Sequence, residues 1–168
     1  HGVKAIKLRE GDYVVSMARV REGASLVTVT ENGYGKRTSL DSYKVQNRGG
    51  LGLTNYKVDE ERGHVCGIKV CDEDDDIIMI SSDGVIIRIR TSDIRIMGRI
   101  AKGVRVMRVR DDVKVVAFTR AEHDENADVQ EVEQLSEEEI RKAQSEAELE
   151  EKNEVIIENE EPDDDENE

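Results

Sequence analysis

Short stretches in which apolar and polar residues alternate cover residues 2–120, and such alternation is typical of half-buried β-strands. Two dipeptides that suit tight hairpin turns, Asn32-Gly33 and Asp83-Gly84, separate consecutive stretches. The sequence therefore predicts an all-β protein built from hairpins. The predicted strands are Tyr13–Val20, Leu26–Thr30, Gly35–Ser39, Tyr43–Gln46, His64–Val70, Ile77–Ile80, Val85–Arg90, Ile94–Met97, Val104–Val109 and Val113–Thr119.

The pattern recurs after about 50 residues, with roughly four strands in each repeat. Gly2, Gly52 and Gly103 each begin an alternating stretch, and they lie 50 and 51 residues apart. An offset of 51 also aligns both turn dipeptides, and it aligns Arg37 with Arg88 and Arg48 with Arg99. Four short strands per repeat are typical of blades arranged radially. Because the chain contains only two full repeats and two partial ones, we expect its parent protein to contain more.

The net charge of −14 is divided unevenly along the chain. Residues 1–120 contain 22 Lys and Arg against 17 Asp and Glu, whereas residues 121–168 contain 3 against 22. The net charges are +5 and −19, so we expect a basic β domain over residues 1–120 and an acidic tail over residues 121–168. The tail's composition predicts that most of it is disordered. A capping box at Ser136 is compatible with a short helix over residues 136–152.

The basic residues concentrate on the second strand of each hairpin and on the connections between repeats. A radial arrangement would bring these positions to one perimeter, where cations bind phosphates without reading base sequence. The alternative is that they form ordinary solvated strand faces. We call the predicted set the cation track, and Arg110 lies beside it. Its members are Lys36, Arg37, Arg48, Arg88, Arg90, Arg95, Arg99, Lys102, Arg105 and Arg108.

One connection, residues 46–52, is rich in glycine. Gly49, Gly50 and Gly52 permit close approach of the backbone to a bulky partner. Arg48 beside them could contact a phosphate. The alternative is a connection between blades that binds nothing.

Other chemistries have little support in the sequence. Residues His64, Cys66 and Cys71 lack a fourth ligand and a paired Cys-x-x-Cys, so we expect no metal site. No arrangement of Ser, His, Asp or Cys suggests a nucleophile, so we expect no catalytic residue. There is no apolar run long enough to span a membrane and no signal-peptide pattern, so the cysteines should be reduced thiols of a cytoplasmic protein.

The stretch Glu31-Asn32-Gly33-Tyr34-Gly35-Lys36-Arg37-Thr38, with Ile94–Arg99 and Gly103–Met107, resembles the last blades of the DNA gyrase A C-terminal domain family. The resemblance covers roughly residues 2–120. It implies a β-pinwheel, a propeller-like spiral of four-stranded blades, around which double-stranded DNA is bent and wrapped. In the family this wrapping lets an ATP-dependent type II topoisomerase introduce negative supercoils.

The resemblance also implies what lies elsewhere. The catalytic tyrosine and the ATPase would be outside this chain, so we expect the chain alone not to be an enzyme and to hold no cofactor. The parent complex would use ATP and Mg through other domains. Its partners would be DNA, the rest of gyrase A and the whole of gyrase B, in the cytoplasm and associated with the nucleoid, and the tail would modulate DNA binding.

Gln46–Gly52 resembles the family's heptad Gln-Arg-Arg-Gly-Gly-Lys-Gly, the gyrase A box, at five of seven positions: Gln46, Arg48, Gly49, Gly50 and Gly52. Asn47 and Leu51 each replace a cation. In the family the box belongs to the first blade, whereas the motif order here indicates a late blade. We therefore interpret this segment as the equivalent link, in which Arg48 alone carries over.

Two alternatives remain open. One is the similar C-terminal domain of topoisomerase IV, and the other is a propeller-type module that binds proteins. Exposed blade edges would also permit self-association.

Overall fold

The computed structural model describes residues 2–126. The capping box and the helix expected over residues 136–152 lie outside the described residues. The described part contains seven strands, which are β1 (Ser25–Thr30), β2 (Tyr34–Ser39), β3 (Val65–Cys71), β4 (Asp76–Ser81), β5 (Ile86–Arg90), β6 (Val104–Arg105) and β7 (Val115–Ala121). Two single-turn 3-10 helices, Leu40–Ser42 and Thr91–Asp93, follow β2 and β5. The all-β prediction is confirmed.

The strands form two antiparallel sheets. The first has the order β3-β1-β2-β6, and the second has the order β5-β4-β7. The β1–β2 and β4–β5 hairpins turn at Gly33 and Gly84, whose φ angles are +81° and +85°. Both predicted turn dipeptides are therefore turns, and their glycines take the left-handed backbone conformation that the turns require.

The repeat is present in the folded chain at the predicted offset. Strands β1 and β4 begin 51 residues apart, and so do the two 3-10 helices. Gly52 and Gly103, also 51 apart, have φ angles of +83° and +78°. The repeat is thus a repeat of backbone conformation as well as of residue type.

A sheet is not built from one contiguous repeat, and this corrects the predicted division into blades. β3, predicted to begin the second repeat, pairs with β1 in the first sheet. β6 comes from the third repeat and pairs with β2, placing Tyr34 opposite Arg105. β7 likewise pairs with β4 in the second sheet. Each sheet therefore takes strands from successive repeats, which ties the repeats together.

Several predicted strands were wrong or too long. Tyr13–Val20 is not a strand, and Met17 within it is 90% exposed. Tyr43–Gln46 is irregular, and Ile94–Met97 keeps only a bridge between Ile96 and Arg37. The segment predicted over Val104–Val109 is a strand only at Val104–Arg105. Among the described residues, no strand pairs along Tyr13–Val20 or Tyr43–Gln46, so alternation alone did not produce a strand there.

The core lies between the two sheets. Val27 and Val29 of β1 pack in one cluster with Ile77 and Met79 of β4. Phe118 of β7 belongs to the same cluster, and its ring lies where a side chain at Gly67 of β3 would be. The core thus fixes the β1–β2 and β4–β5 hairpins against each other. Within the described residues, no helix is long and apolar enough to cross a membrane.

Candidate nucleic-acid interface

The ten residues of the cation track differ in exposure. Five are exposed: Arg48, Arg90, Arg95, Arg105 and Arg108. Three are half-buried: Arg88, Arg99 and Lys102. Two are buried: Lys36 and Arg37. The exposed five come from the 46–52 link, from the end of β5, from the segment after the second 3-10 helix and from the stretch around β6.

Lys36 is not at the surface, because its side chain points into the molecule and is fully buried. Its amine donates hydrogen bonds to the backbone carbonyls of Gly98 and Arg99 and lies 5.3 Å from the centre of the Tyr56 ring. Burial, and then the positive charge of Arg99, lower the pKa of Lys36 from 10.5 to about 7. We therefore remove Lys36 from the surface available to phosphate, and we assign it to holding residues 98 and 99 in place.

Arg37 and Arg88 occupy equivalent positions, and both bind carboxylates of their own chain. The guanidinium of Arg37 lies 3.5 Å from Glu73. Arg88 donates to Asp76 over 2.7 Å and to the carbonyl of Glu122 over 2.6 Å. These two arginines are thus engaged within the fold, and neither is a freely presented phosphate ligand.

Asp76 is a fully buried carboxylate at the start of β4. Burial opposes its ionisation, but hydrogen bonds from Arg88 and His123 outweigh burial and lower the pKa of Asp76. His123 lies 3.1 Å from both carboxylate oxygens. The domain's contacts therefore extend past the boundary at residue 120 that the charge pattern suggested.

Arg105 is both exposed and well positioned. Its guanidinium lies 5.0 Å from the centre of the Tyr34 ring, and it donates a 2.6 Å hydrogen bond to the Tyr34 hydroxyl. A second guanidinium, that of Arg62, lies 5.1 Å from the same ring and pairs with Asp59 and Glu61. The sequence offers no reason to place this tyrosine beside a cation. Tyr34 lies opposite Arg105 only because β2 pairs with β6, and that pairing is not visible in the sequence.

The basic link 97–103 is held against an earlier segment of the chain. The hydroxyl of Tyr56 donates to the carbonyl of Lys102, and Arg99 donates to the carbonyl of Thr54 over 2.7 Å. No tyrosine stands 51 residues before or after Tyr56. No repeat signal could therefore have identified it.

The glycine-rich link 46–52 is held in an equivalent way. Its Gly49 N–H donates to the carbonyl of Ala5, and its Gly50 carbonyl accepts from the N–H of Lys7, both over 2.8 Å. Gln46, Arg48, Gly50 and Gly52 are exposed, while Gly49 is half-buried. Gly49 and Gly52 have φ angles of +79° and +83°, so these two glycines have a structural use in the link. A contact of Arg48 with DNA stays a prediction.

The thiols and carboxylates give no sign of other chemistry in the part of the chain that is described. Cys66 and Cys71 are free, and burial raises the pKa of each to about 11. Among residues 2–126, no group of three or more His, Cys, Asp or Glu is placed to hold a metal ion.

Comparison with known families decides what this fold is. A model described as the DNA gyrase C-terminal domain, a beta-propeller, matches residues 1–21, 24–72 and 75–122. The chain belongs to this family. The second and third matched segments begin 51 residues apart, just before β1 and β4. The family's repeating unit thus coincides with the repeat in this chain, and the propeller-type fold is established.

Similar proteins and solved structures support the same family assignment. DNA gyrase A of Streptomyces coelicolor is 43% identical over 119 residues, covering 71% of this chain and 14% of the relative. That of Staphylococcus aureus is 40% identical over 135 residues, covering 79% and 15%. A solved gyrase A C-terminal domain matches with a TM-score of 0.66 and 33% identity, covering 71% of this chain and 41% of that one. A topoisomerase IV C-terminal domain matches with the same TM-score, 26% identity and coverages of 71% and 38%. The chain spans about a seventh of the length of these two gyrase A proteins.

Proposed function

We propose that this domain binds duplex DNA without sequence specificity and bends it along its exposed guanidinium groups, as part of a gyrase-type topoisomerase. Family membership supports the proposal, because its relatives are components of DNA gyrase. Binding would rest on phosphate contacts, since the described residues contain no helix or ribbon suited to reading base edges.

The observation that carries the proposal is the presentation of Arg105. This residue is exposed, yet Tyr34 holds its guanidinium by a ring contact and a hydrogen bond. A planar guanidinium that is held in place loses little side-chain entropy when it binds a phosphate in a bidentate way. Arg105 belongs to β6, at the edge of the first sheet, where a straight or gently bent duplex can approach it.

The test compares Arg105→Ala with Arg19→Ala, which removes an exposed cation outside the cation track. We measure duplex binding at several salt concentrations. Arg105→Ala should weaken binding equally on unrelated sequences and reduce the salt slope by about one. Equal effects of both substitutions would mean that net charge alone attracts DNA. A sequence preference greater than about tenfold would contradict backbone recognition.

The wider assembly follows from the same proposal. Wrapping by this domain would serve strand passage in a complex of complete gyrase A with gyrase B, in which negative supercoils are introduced. The catalytic tyrosine, ATP and Mg would belong to other parts of that complex. This domain itself would bind and bend DNA and would hold no cofactor.

The acidic tail would weaken DNA binding by occupying the same cations. Residues 127–168 contain 19 Asp and Glu against 3 Lys and Arg. A tethered polyanion has a high effective concentration near the domain to which it is attached, so it competes efficiently with phosphates.

A further inference from the structure

We propose that Val155–Ile157, in the acidic tail, adds to the exposed edge of β5 as the fourth strand of the second sheet. The proposal concerns the folding of this chain and does not depend on DNA binding. It begins from an asymmetry between the two sheets: the first has four strands and the second has three among the described residues.

The outer edge of β5 is open in the described structure. The Ser81 N–H donates to the Val85 carbonyl, and the Thr91 N–H donates to the Asp75 carbonyl. Antiparallel pairing alternates, so the N–H groups of Ile87 and Ile89 face β4, while those of the even-numbered residues Ile86, Arg88 and Arg90 face outward. An unpaired row of this kind is a template for another strand.

The side chains at this edge are also uncovered. Val85 is 49% exposed and Ile86 is 63% exposed. Tyr34 and Gly35, which stand 51 residues earlier, are buried beside β6. The same position in the repeat is therefore covered in one sheet and bare in the other.

The repeat identifies the segment that would cover it. β6 places Val104 opposite Gly35 and Arg105 opposite Tyr34, and Val106 packs over Gly35. Adding 51 to 104, 105 and 106 leads to Val155, Ile156 and Ile157, the only run of three apolar residues after residue 121. Val104 and Val106 are both buried, and their counterparts are again aliphatic.

The facing positions would be aliphatic, but Ile86 carries a side chain where Gly35 has none, so Ile157 must shift from the position that Val106 takes over Gly35. The β6 register, moved by 51 residues, pairs Val85 with Ile156 and Ile86 with Val155. In the second sheet, two aliphatic cross-strand pairs would thus occupy the positions that the Arg105–Tyr34 and Val104–Gly35 pairs occupy in the first sheet. Glu154 stands where Gly103 is in the first sheet, so the close backbone approach made there is not repeated and pairing begins at Val155.

Length and charge both permit the docking. The 28 residues between Asn126 and Val155 can span about 90 Å when extended, several times the radius of a domain of this size. Residues 151–160 carry four Glu against a single Lys, and β5 carries Arg88 and the exposed Arg90. An acidic segment is thus attracted to this edge, and its aliphatic run supplies the apolar contacts.

The test is amide hydrogen exchange measured residue by residue by NMR, without DNA. It compares the full chain with a chain that ends at Asn153, a cut beyond every described contact. The Ile86 amide should exchange about tenfold more slowly in the full chain, because it gains a hydrogen bond. The amides of Ile87 and Ile89, which face β4, serve as the internal reference and should not change.

Substitutions separate this docking from non-specific apolar association. The double variant Val155→Asn/Ile157→Asn should lose the protection of Ile86, whereas Ile140→Asn/Leu149→Asn, which removes as many aliphatic residues from the same tail, should keep it. Identical Ile86 exchange in the full and shortened chains would overturn the proposal. So would protection that grows with protein concentration, which would mean that a second copy occupies the edge, or an equal loss in both double variants.

Discussion

A lysine that is fully buried carries a desolvation penalty for its charge, and Lys36 shows how a fold accommodates one. Its two backbone carbonyl partners can accept from a neutral amine as well as from an ammonium group, so the hydrogen bonds to Gly98 and Arg99 survive loss of the proton. The residue 51 positions later is Ile87, which is also buried. The repeat therefore tolerates an aliphatic side chain at this position, and Lys36 adds a fixed connection to the basic link.

The Lys36→Met variant tests whether Lys36 loses its charge in the fold, through the pH dependence of unfolding stability. The pKa of Lys36 is about 7 in the fold and 10.5 as its ordinary value. Between these values the unfolded chain binds more protons, so wild-type stability should rise with pH relative to the Met variant. Below pH 7 the difference in stability should be constant. Urea unfolding of both proteins between pH 6 and 9.5 measures it, and a difference that does not change with pH would show that the folded lysine keeps its full charge.

At the scale of elements, Gly33 and Gly84 occupy equivalent positions in the turns of two successive hairpins, but their surroundings differ. A methyl group at Gly33 would overlap the carbonyl of Met107, whereas one at Gly84 would meet nothing within 4 Å. Both have positive φ angles, so alanine is strained by a similar amount at each. The contact between the first hairpin and the chain after β6 is therefore what distinguishes them.

We expect Gly84→Ala to cost about 1 kcal/mol of unfolding free energy, from backbone strain alone. Gly33→Ala should cost about 1–3 kcal/mol more, because the chain after β6 must move away. Chemical denaturation of the two variants under one condition gives the comparison. Equal losses would mean that the approach of Met107 to Gly33 contributes nothing to stability.

The sequence predicted the hairpins because alternation and a turn dipeptide are local signals, and the offset of 51 showed that these signals recur. It did not predict which strands pair, because β3 and β6 join the first sheet from later repeats and nothing in their own residues records their partners. The candidate site divides in the same way. Residue type and spacing identified the arginines, but only the pairing of β6 with β2 placed Arg105 over Tyr34, and only packing revealed that Lys36 is inside.

At the scale of the whole molecule, DNA binding should be distributed but not uniform. Arg48→Ala should weaken binding more than Lys4→Ala, although both residues are exposed and belong to segments that contact each other. The reason is that Arg48 lies on a connection between repeats, where a bent duplex would run. Each lost phosphate contact should lower the salt slope by about one, measured between about 50 and 200 mM salt. Equal effects of the two substitutions would mean that the net charge attracts DNA and that the cation track has no special role.

The last prediction concerns the tail's competition with DNA. The test removes the tail by ending the chain after Asn126. A chain that ended at Arg120 would also lose Glu122 and His123, which contact Arg88 and Asp76. Residues 1–126 have a net charge of +2, and residues 127–168 have a net charge of −16. The shortened chain should therefore bind duplex DNA more tightly, above all at low salt, where attraction between tail and domain is least screened.

Residues 127–168 added as a separate peptide should partly reverse the gain in DNA affinity. A high peptide concentration is needed, because the tether no longer provides a high effective concentration near the domain. The Val155→Asn/Ile157→Asn variant separates charge from docking, since it keeps every acidic residue of the tail. If its DNA affinity equals that of the full chain, charge alone weakens binding. If it binds as tightly as the shortened chain, the tail competes only when its aliphatic run is seated on β5. Equal affinities of the full and shortened chains at low salt would show that the tail does not reach the cations that bind DNA.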